Sequence, residues 1–204
     1  MKLYQSPLSS ASFKARAVLH ELGLPCEFVD VAMSKGEHKS PAFLSMNPNG
    51  KVPVLEDGGF HIWESNAIIC YLAAKKPETG LMPTEPQGVG AMHQWLQWQA
   101  TTFANSINDV MMETVYLVFM GRQKDEQKYA AGLEKVRRDL GVLETCLKGR
   151  EYLCGKLSLA DFSIVSSLLV RKQMGFDLEG FPNVKAWAGR MEDRESVRKS
   201  LPPL

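Results

Sequence analysis

The chain has 204 residues, 45% of them hydrophobic and 23% charged, the make-up of a soluble folded protein with room for one large domain or two small ones. Its 24 basic and 23 acidic side chains leave a net charge of +1, spread evenly along the sequence, which argues against a nucleic-acid backbone or an anionic membrane as partner. The four cysteines, Cys26, Cys70, Cys146 and Cys154, form no Cys-x-x-Cys pair; this argues against zinc, a dithiol centre or a disulfide framework, and fits a reducing, cytoplasmic compartment.

Met1 to Ser6 is too polar, and too soon interrupted by Pro7, to read as a signal peptide. Lys2-Leu3-Tyr4 reads as a strand. Apolar positions at Phe13, Ala17, Val18 and Leu22 recur every three or four residues and predict a helix, with Gly23 at its stop. Cys26 to Val31 alternates as a strand. After a polar loop, Val52 to Glu56, the turn Asp57-Gly58-Gly59 and Phe60 to Trp63 predict a hairpin, and Ala67 to Ala74 a short apolar helix. The order is βαβ then ββα, a mixed four-stranded sheet with helices packed on it.

Three prolines and Gly80 mark a linker over 77–87. Beyond it the pattern is all helical, which divides the chain into an α/β domain (1–76) and an all-α domain (88–204). Met92, Trp95, Leu96, Phe103, Ile107, Val110 and Met111 predict one long helix. Tyr129, Leu133, Val136, Leu140, Leu143 and Leu147 form the seam of a second, suited to antiparallel packing in a bundle. Phe162 to Val170 is nearly all small and apolar and predicts a buried central helix; Val184 to Met191 predicts a short final one. Ser158 followed by Asp161 is a capping-box variant, with Leu157 and Phe162 at the staple positions.

Three segments carry candidate chemistry. Ser6 to Ser12 lies between the first strand and the first helix, where amides favour an anion and a serine hydroxyl can stabilise a thiolate; Ser9, Ser10 and Ser12 all stand there, and serines at such a place also simply cap helices. Lys51-Val52-Pro53-Val54 puts a proline in a strand. A cis Val52–Pro53 bond would present the Val52 backbone for pairing with a peptide ligand, and a trans proline would mark an edge strand and nothing more. Glu64-Ser65 opens the third helix: an amide at a helix start suits a carboxylate, and Glu64 suits an ammonium, the two groups a γ-glutamyl moiety carries on one carbon.

Taken with the loop Gly36-Glu37-His38-Lys39-Ser40-Pro41-Ala42-Phe43-Leu44-Ser45-Met46-Asn47-Pro48, these segments resemble the glutathione transferase family over almost the whole chain, and within it the serine-type phi and theta classes. The resemblance implies a thioredoxin-like first domain, a helical second domain and a homodimer. It implies that Ser9 activates the glutathione thiol, that His38, Lys39 and Lys51 hold the glycyl end, that Val52 before cis-Pro53 pairs with the cysteinyl backbone, and that Glu64 and Ser65 bind the γ-glutamyl end. Two departures stand out: the serines crowd one loop, so that aligning it to the cysteine-type bacterial class shifts the active position by one, and Phe13 replaces an arginine frequent in the phi class. The register from Lys2 through Pro7 selects Ser9 without a gap.

Met111, Met112, Tyr116 and Phe119 are candidates for an apolar second-substrate pocket, since methionine adapts to varied ligands, although such a stripe is also ordinary core. His20 and His61 read as structural; His93, near Trp95 and Trp98, reads as packing, with a pocket or subunit contact as the alternative. No Gly-x-Ser-x-Gly, Walker loop, His-Glu-x-x-His or Gly-x-Gly-x-x-Gly occurs, and the loop from Ser6 to Ser12 lacks the cysteine a glutathione-dependent reductase needs. The expected activity is conjugation of glutathione, the co-substrate, to small hydrophobic electrophiles without a metal, possible peroxidase activity included. The alternative is a binding protein of the same fold with little turnover.

Overall fold

The computed structural model describes residues 1–117 and 121–201 and divides into two compact units: Met1–Met82 joined by the chain from Glu192 onward, and Pro83–Met191. In the first unit, β1 (Lys2–Gln5), α1 (Ser10–Glu21), β2 (Glu27–Asp30), α2 (Pro41–Met46), β3 (Val54–Asp57), β4 (Phe60–Trp63) and α3 (Ser65–Ala74) follow in order. The sheet runs β2-β1-β3-β4, with β1 parallel to β2 and antiparallel to β3, and β3 antiparallel to β4. It is the mixed four-stranded sheet the pattern predicts.

Side chains alternate across this sheet with the period of two that strands impose. Tyr4, Val52 and Val54 gather with Phe43 and Met46 of α2 and with Val31. Leu3 and Leu55, paired across the ladder and fully buried, therefore face the other way. Ile68, Ile69 and Leu72 of α3 and Phe13, Val18 and Leu19 of α1 are also buried, and α1 and α3 pack together.

Helix α2 falls where the sequence reads as a polar loop. Its six residues bury only Phe43, too little to show a period; Ser40 caps it, its hydroxyl accepting from the Phe43 amide at 3.2 Å, and Pro41 takes the first helical position. The final helix, α9 (Glu195–Arg198), packs against α1. The last stretch of the chain thus belongs with the first unit, although its sequence reads as an extension of the helical half.

The second unit contains α4 (Pro86–Trp98), α5 (Ala104–Met112), α6 (Glu126–Leu147), α7 (Leu159–Val165) and α8, which starts at Pro182. The single long helix expected around Met92 to Met111 is α4 and α5 joined by a π-helical stretch, Gln99–Phe103. Its apolar positions are buried as predicted, because one wide turn leaves the seam on the same side. In α6 the seam residues Val136, Leu140, Leu143 and Leu147 are buried, and Gly132 lets the helix approach α5 so closely that a Cβ there would lie 3.0 Å from Val110. The helix expected to reach Val170 stops at Val165. The Ser166 hydroxyl donates to the Ser163 carbonyl at 2.7 Å, and the Ser167 amide reaches back only three residues to Ile164, so serine competition ends the α-helical ladder. Among the described residues no helix is long and apolar enough to cross a membrane.

Candidate functional site

The ladder register sets the site. Tyr4 stands opposite Val54 and Val54 opposite Trp63, while Gln5 pairs with Asp30 on the other flank. The chain after β1, the chain before β3, the chain after β4 and the chain after β2 therefore all leave the sheet at one end. Ser9, Val52 and Pro53, Glu64 and Ser65, and His38 and Lys39 lie on these four connections.

Ser9 is the N-cap of α1, in extended conformation, and its hydroxyl oxygen accepts from the Ser12 amide at 3.2 Å. That bond uses a lone pair and leaves the hydroxyl hydrogen as a donor. Ser12 is fully buried and its oxygen accepts from the Ser6 amide at 3.3 Å, so of the three crowded serines it is sealed away. Ser10 begins the helix proper. The first turn of α1 contains no acidic residue, so the positive end of the helix is not neutralised from within.

The Val52–Pro53 peptide bond is cis, and β3 starts only at Val54, which leaves Val52 beyond the ladder. The approach to it is held by Asn47, 2% exposed, whose side-chain amide donates to the Lys51 carbonyl at 2.7 Å and whose oxygen accepts from the Asn49 amide at 3.0 Å. Gly50 has a φ of +59°, and a Cβ there would lie 2.8 Å from both the His38 carbonyl and the Lys39 ammonium. Only glycine fits this close approach, which brings the loop of His38 and Lys39 against the one that ends on Lys51. Lys39 reaches the Asn49 carbonyl at 3.5 Å, and His38 keeps a buried Nδ1 without a protein partner.

Glu64 is the one non-glycine residue with positive φ (69°) among the described residues. Such a conformation costs on the order of 1–3 kcal/mol and is characteristic of functional turns. It aims the start of α3, where Ser65 is the first helical residue and no acidic side chain sits in the first turn. Beneath this turn, Lys14 of α1, only 2% exposed, donates to Asn66 at 2.6 Å. Burial lowers its pKa to about 7, against the opposing pull of Glu64 and Cys70. The helices that follow Ser9 and Glu64 are thereby tied to each other. Sequence reasoning missed Lys14 and Asn47, because a lysine on an exposed-looking helix position and an asparagine in a loop have no signal that separates them from solvent-facing residues.

In the second unit Met111 is buried, Met112 half-buried and Tyr116 exposed to 37%; Phe119 lies outside the described residues. Glu113, next to Met112, is buried and bound by Arg122 through both carboxylate oxygens at 2.7 Å, with the Asp125 amide at 3.0 Å. The guanidinium and that amide hold its pKa down at about 2. A cleft of 240 Å³ opens between α5 and α6, lined by Met112, Ala131 and Gly132 together with the charged Asp109, Glu113, Lys128 and Lys135. Of the residues expected to line an apolar pocket it includes Met112 alone. Among the described residues no three His, Cys, Asp or Glu side chains gather as a metal would require.

Residues 1–74 match the family model of the glutathione S-transferase N-terminal domain, and residues 107–195 that of the C-terminal domain. The chain is 34% identical to a probable glutathione S-transferase, GSTF2, of Oryza sativa subsp. japonica, over 98% of this chain and 94% of the relative. It is 32% identical to glutathione S-transferase 1 of Zea mays over the same shares. Among solved structures, glutathione S-transferase-I bound with lactoylglutathione superposes with a TM-score of 0.90 at 32% identity, over 98% of this chain and 97% of that one. A theta-class glutathione S-transferase from Xanthomonas axonopodis pv. citri with glutathione bound gives 0.91 at 27% identity, over 100% and 97%.

Proposed function

The chain belongs to the glutathione S-transferase family, and on that premise we propose that it is a glutathione transferase that joins the thiolate of glutathione to small hydrophobic electrophiles. Glutathione is the co-substrate. Its γ-glutamyl end binds Glu64 and the Ser65 amide, its cysteinyl backbone pairs with Val52 beside Pro53, and its glycyl carboxylate meets His38, Lys39 and Lys51. Ser9 donates its hydroxyl hydrogen to the sulfur. A hydrogen bond to the charged form favours it, and each pKa unit by which the thiol falls is worth about 1.4 kcal/mol. Serine makes no covalent bond in this scheme.

The observation that carries the reading is the shared sheet end: one register, Tyr4 to Val54 to Trp63, gathers four connections and two helix starts whose first turns hold no acidic residue. An anionic, extended tripeptide suits such a place, because helix amides satisfy its carboxylates and a free strand backbone satisfies its amides. The electrophile would be held by Met111, Met112, Tyr116 and Phe119. The proposal includes a cytoplasmic, detoxifying role, activity on peroxides, and a homodimer, for which the exposed Phe60 and Trp63 on edge strand β4 are available.

The test is conjugation of glutathione to 1-chloro-2,4-dinitrobenzene, with binding followed by calorimetry. Turnover with binding is expected. Ser9→Ala should keep glutathione binding, raise the apparent thiol pKa by one to two units and lower kcat by about 10- to 100-fold. Binding without turnover on this compound and on a peroxide would instead favour a carrier, and loss of binding in the unmodified protein would remove the proposal.

A further inference from the structure

Arg16 is a charged side chain in the middle of α1 and only 6% exposed. Its guanidinium takes acceptors from two stretches of chain far apart in sequence, residues 5–7 and Ser200. It binds the Gln5 side-chain oxygen at the end of β1; the Ser6 carbonyl at 3.4 Å and the Pro7 carbonyl at 3.1 Å in the turn that follows; and the Ser200 carbonyl just past α9, at 2.9 Å from Nη2 and 3.3 Å from Nε. Gln5 is itself fixed by a bond to Asp30. The Ser6 carbonyl that Arg16 binds is also the one that accepts the Ser9 amide, at 3.1 Å. Arg16 and the candidate thiol-activating residue thus share an acceptor.

The far side of the clamp is equally fixed. Arg194 and Ser196 both bond to Glu21 at the end of α1, and the Ser200 hydroxyl donates to the Ser196 carbonyl at 2.7 Å. Ser200 is 1% exposed. A guanidinium that bridges backbone carbonyls is a rigid fork, and a lysine with a single ammonium cannot reproduce it.

We infer that Arg16 is a positioning residue for the glutathione thiol, holding the Ser6–Ser9 turn through its carbonyls, and that the segment at Ser200 is the anchor it works against. The inference rests on the reading of Ser9 given above. Arg16 touches no ligand; it fixes where the Ser9 hydroxyl points. The stabilisation a hydroxyl gives a thiolate depends on donor geometry, so a loosened turn weakens thiolate formation without removing the glutathione-binding groups on the other three connections.

The experiment follows the ultraviolet thiolate absorbance of enzyme-bound glutathione against pH, with kcat and KM, in the full-length protein and its variants. Arg16→Met is expected to raise the apparent thiol pKa by about one unit, which is about tenfold less thiolate at a fixed pH below it, and to lower kcat in proportion while KM for glutathione changes less than about threefold. Arg16→Lys should recover part of the shift. The double variant Arg194→Ala/Ser196→Ala, which loosens the anchor, should move the pKa the same way by less. In a Ser9→Ala background Arg16→Met should add nothing to the pKa, whereas a purely structural residue would alter melting temperature in both backgrounds and the thiol pKa in neither. A folded Arg16→Met protein with an unchanged thiol pKa overturns the inference; should that variant not fold, an unchanged pKa in both Arg16→Lys and the Arg194/Ser196 variant does so. If Ser9→Ala itself leaves the thiol pKa unmoved, the reading of Ser9 has failed and the inference with it, but a raised pKa in Ser9→Ala beside unmoved Arg16 variants sinks the inference alone.

Discussion

Helix α1 buries two cations on different sides, Lys14 against Asn66 of α3 and Arg16 against the turn after β1 and Ser200. They answer burial in different ways. Arg16 stays charged, since guanidinium does not lose its proton in proteins, and it is satisfied by carbonyls. Lys14 titrates at about 7 instead of 10.5 because its ammonium has lost water, and the pull of Glu64 and Cys70 only partly compensates. The unfolded chain keeps the ordinary lysine value, so below about pH 7 both states are protonated and the folded state bears the full penalty. Between about 7 and 10.5 the unfolded state binds the extra proton, and stability rises with pH. Urea unfolding at pH 7 and pH 9 should therefore show the wild type gaining about 2 kcal/mol relative to Lys14→Met over that interval. An identical pH dependence in both proteins would mean that Lys14 is not the titrating group.

At the scale of elements, helix α7 depends on its start. Asp161 Oδ2 accepts from the Ser158 amide at 2.9 Å and the Ser158 hydroxyl at 3.1 Å, and Oδ1 accepts from the Leu153 amide at 3.0 Å and the Trp187 indole at 2.9 Å. Burial pushes the Asp161 carboxyl up, and these four donors work against that shift. One side chain thus ties the start of α7, the preceding loop and α8, which begins in its turn on a carboxylate, Glu144, that accepts from the Asn183 and Val184 amides. Asp161→Asn keeps the shape but turns an amide group toward N–H donors, leaving buried donors unmatched. A loss of about 2–4 kcal/mol is expected, read as a lower urea midpoint with an unchanged m-value. A midpoint within error of the wild type would show that the four bonds contribute no net stability.

On the scale of the whole molecule, the chain returns to where it began. Residues from Glu192 onward belong to the unit built by Met1–Met82, and Glu21 is the point of attachment through Arg194 and Ser196. Glu21→Gln should release this stretch, with a cost of about 1–2 kcal/mol for a partly buried charged pair. Hydrogen exchange should accelerate over residues 192–201 and in the turn of Ser6 to Ser9, while the amides of α6 in the other unit exchange as before. Uniform acceleration throughout would show that the attachment is not local.

The strands, the hairpin, the seam of α6 and the cap at Ser158 were legible from the sequence because each has a short-range signature: a period of two, a turn dipeptide, a period of three to four, or a capping pair. The family was legible because the segments that carry the resemblance are short and their spacing survives in one dimension. Helix α2 was not, since six residues with one buried side chain have no period. Nor was the stop at Val165, where serine side chains replace backbone partners, or the π-turn at Gln99–Phe103, which leaves the apolar seam in register. Lys14, Arg16 and Asn47 are interior residues that no local sequence pattern marks as buried. Burial of a polar side chain depends on acceptors that the sequence places far away, as Asn66 lies 52 positions from Lys14 and Ser200 lies 184 from Arg16. The sequence by itself determined the strands, the apolar seams of the helices and the family, and it singled out the segments proposed to meet glutathione. Tertiary structure alone decided which charges are buried and what holds the Ser9 turn, because those bonds exist only once distant parts of the chain have been brought together.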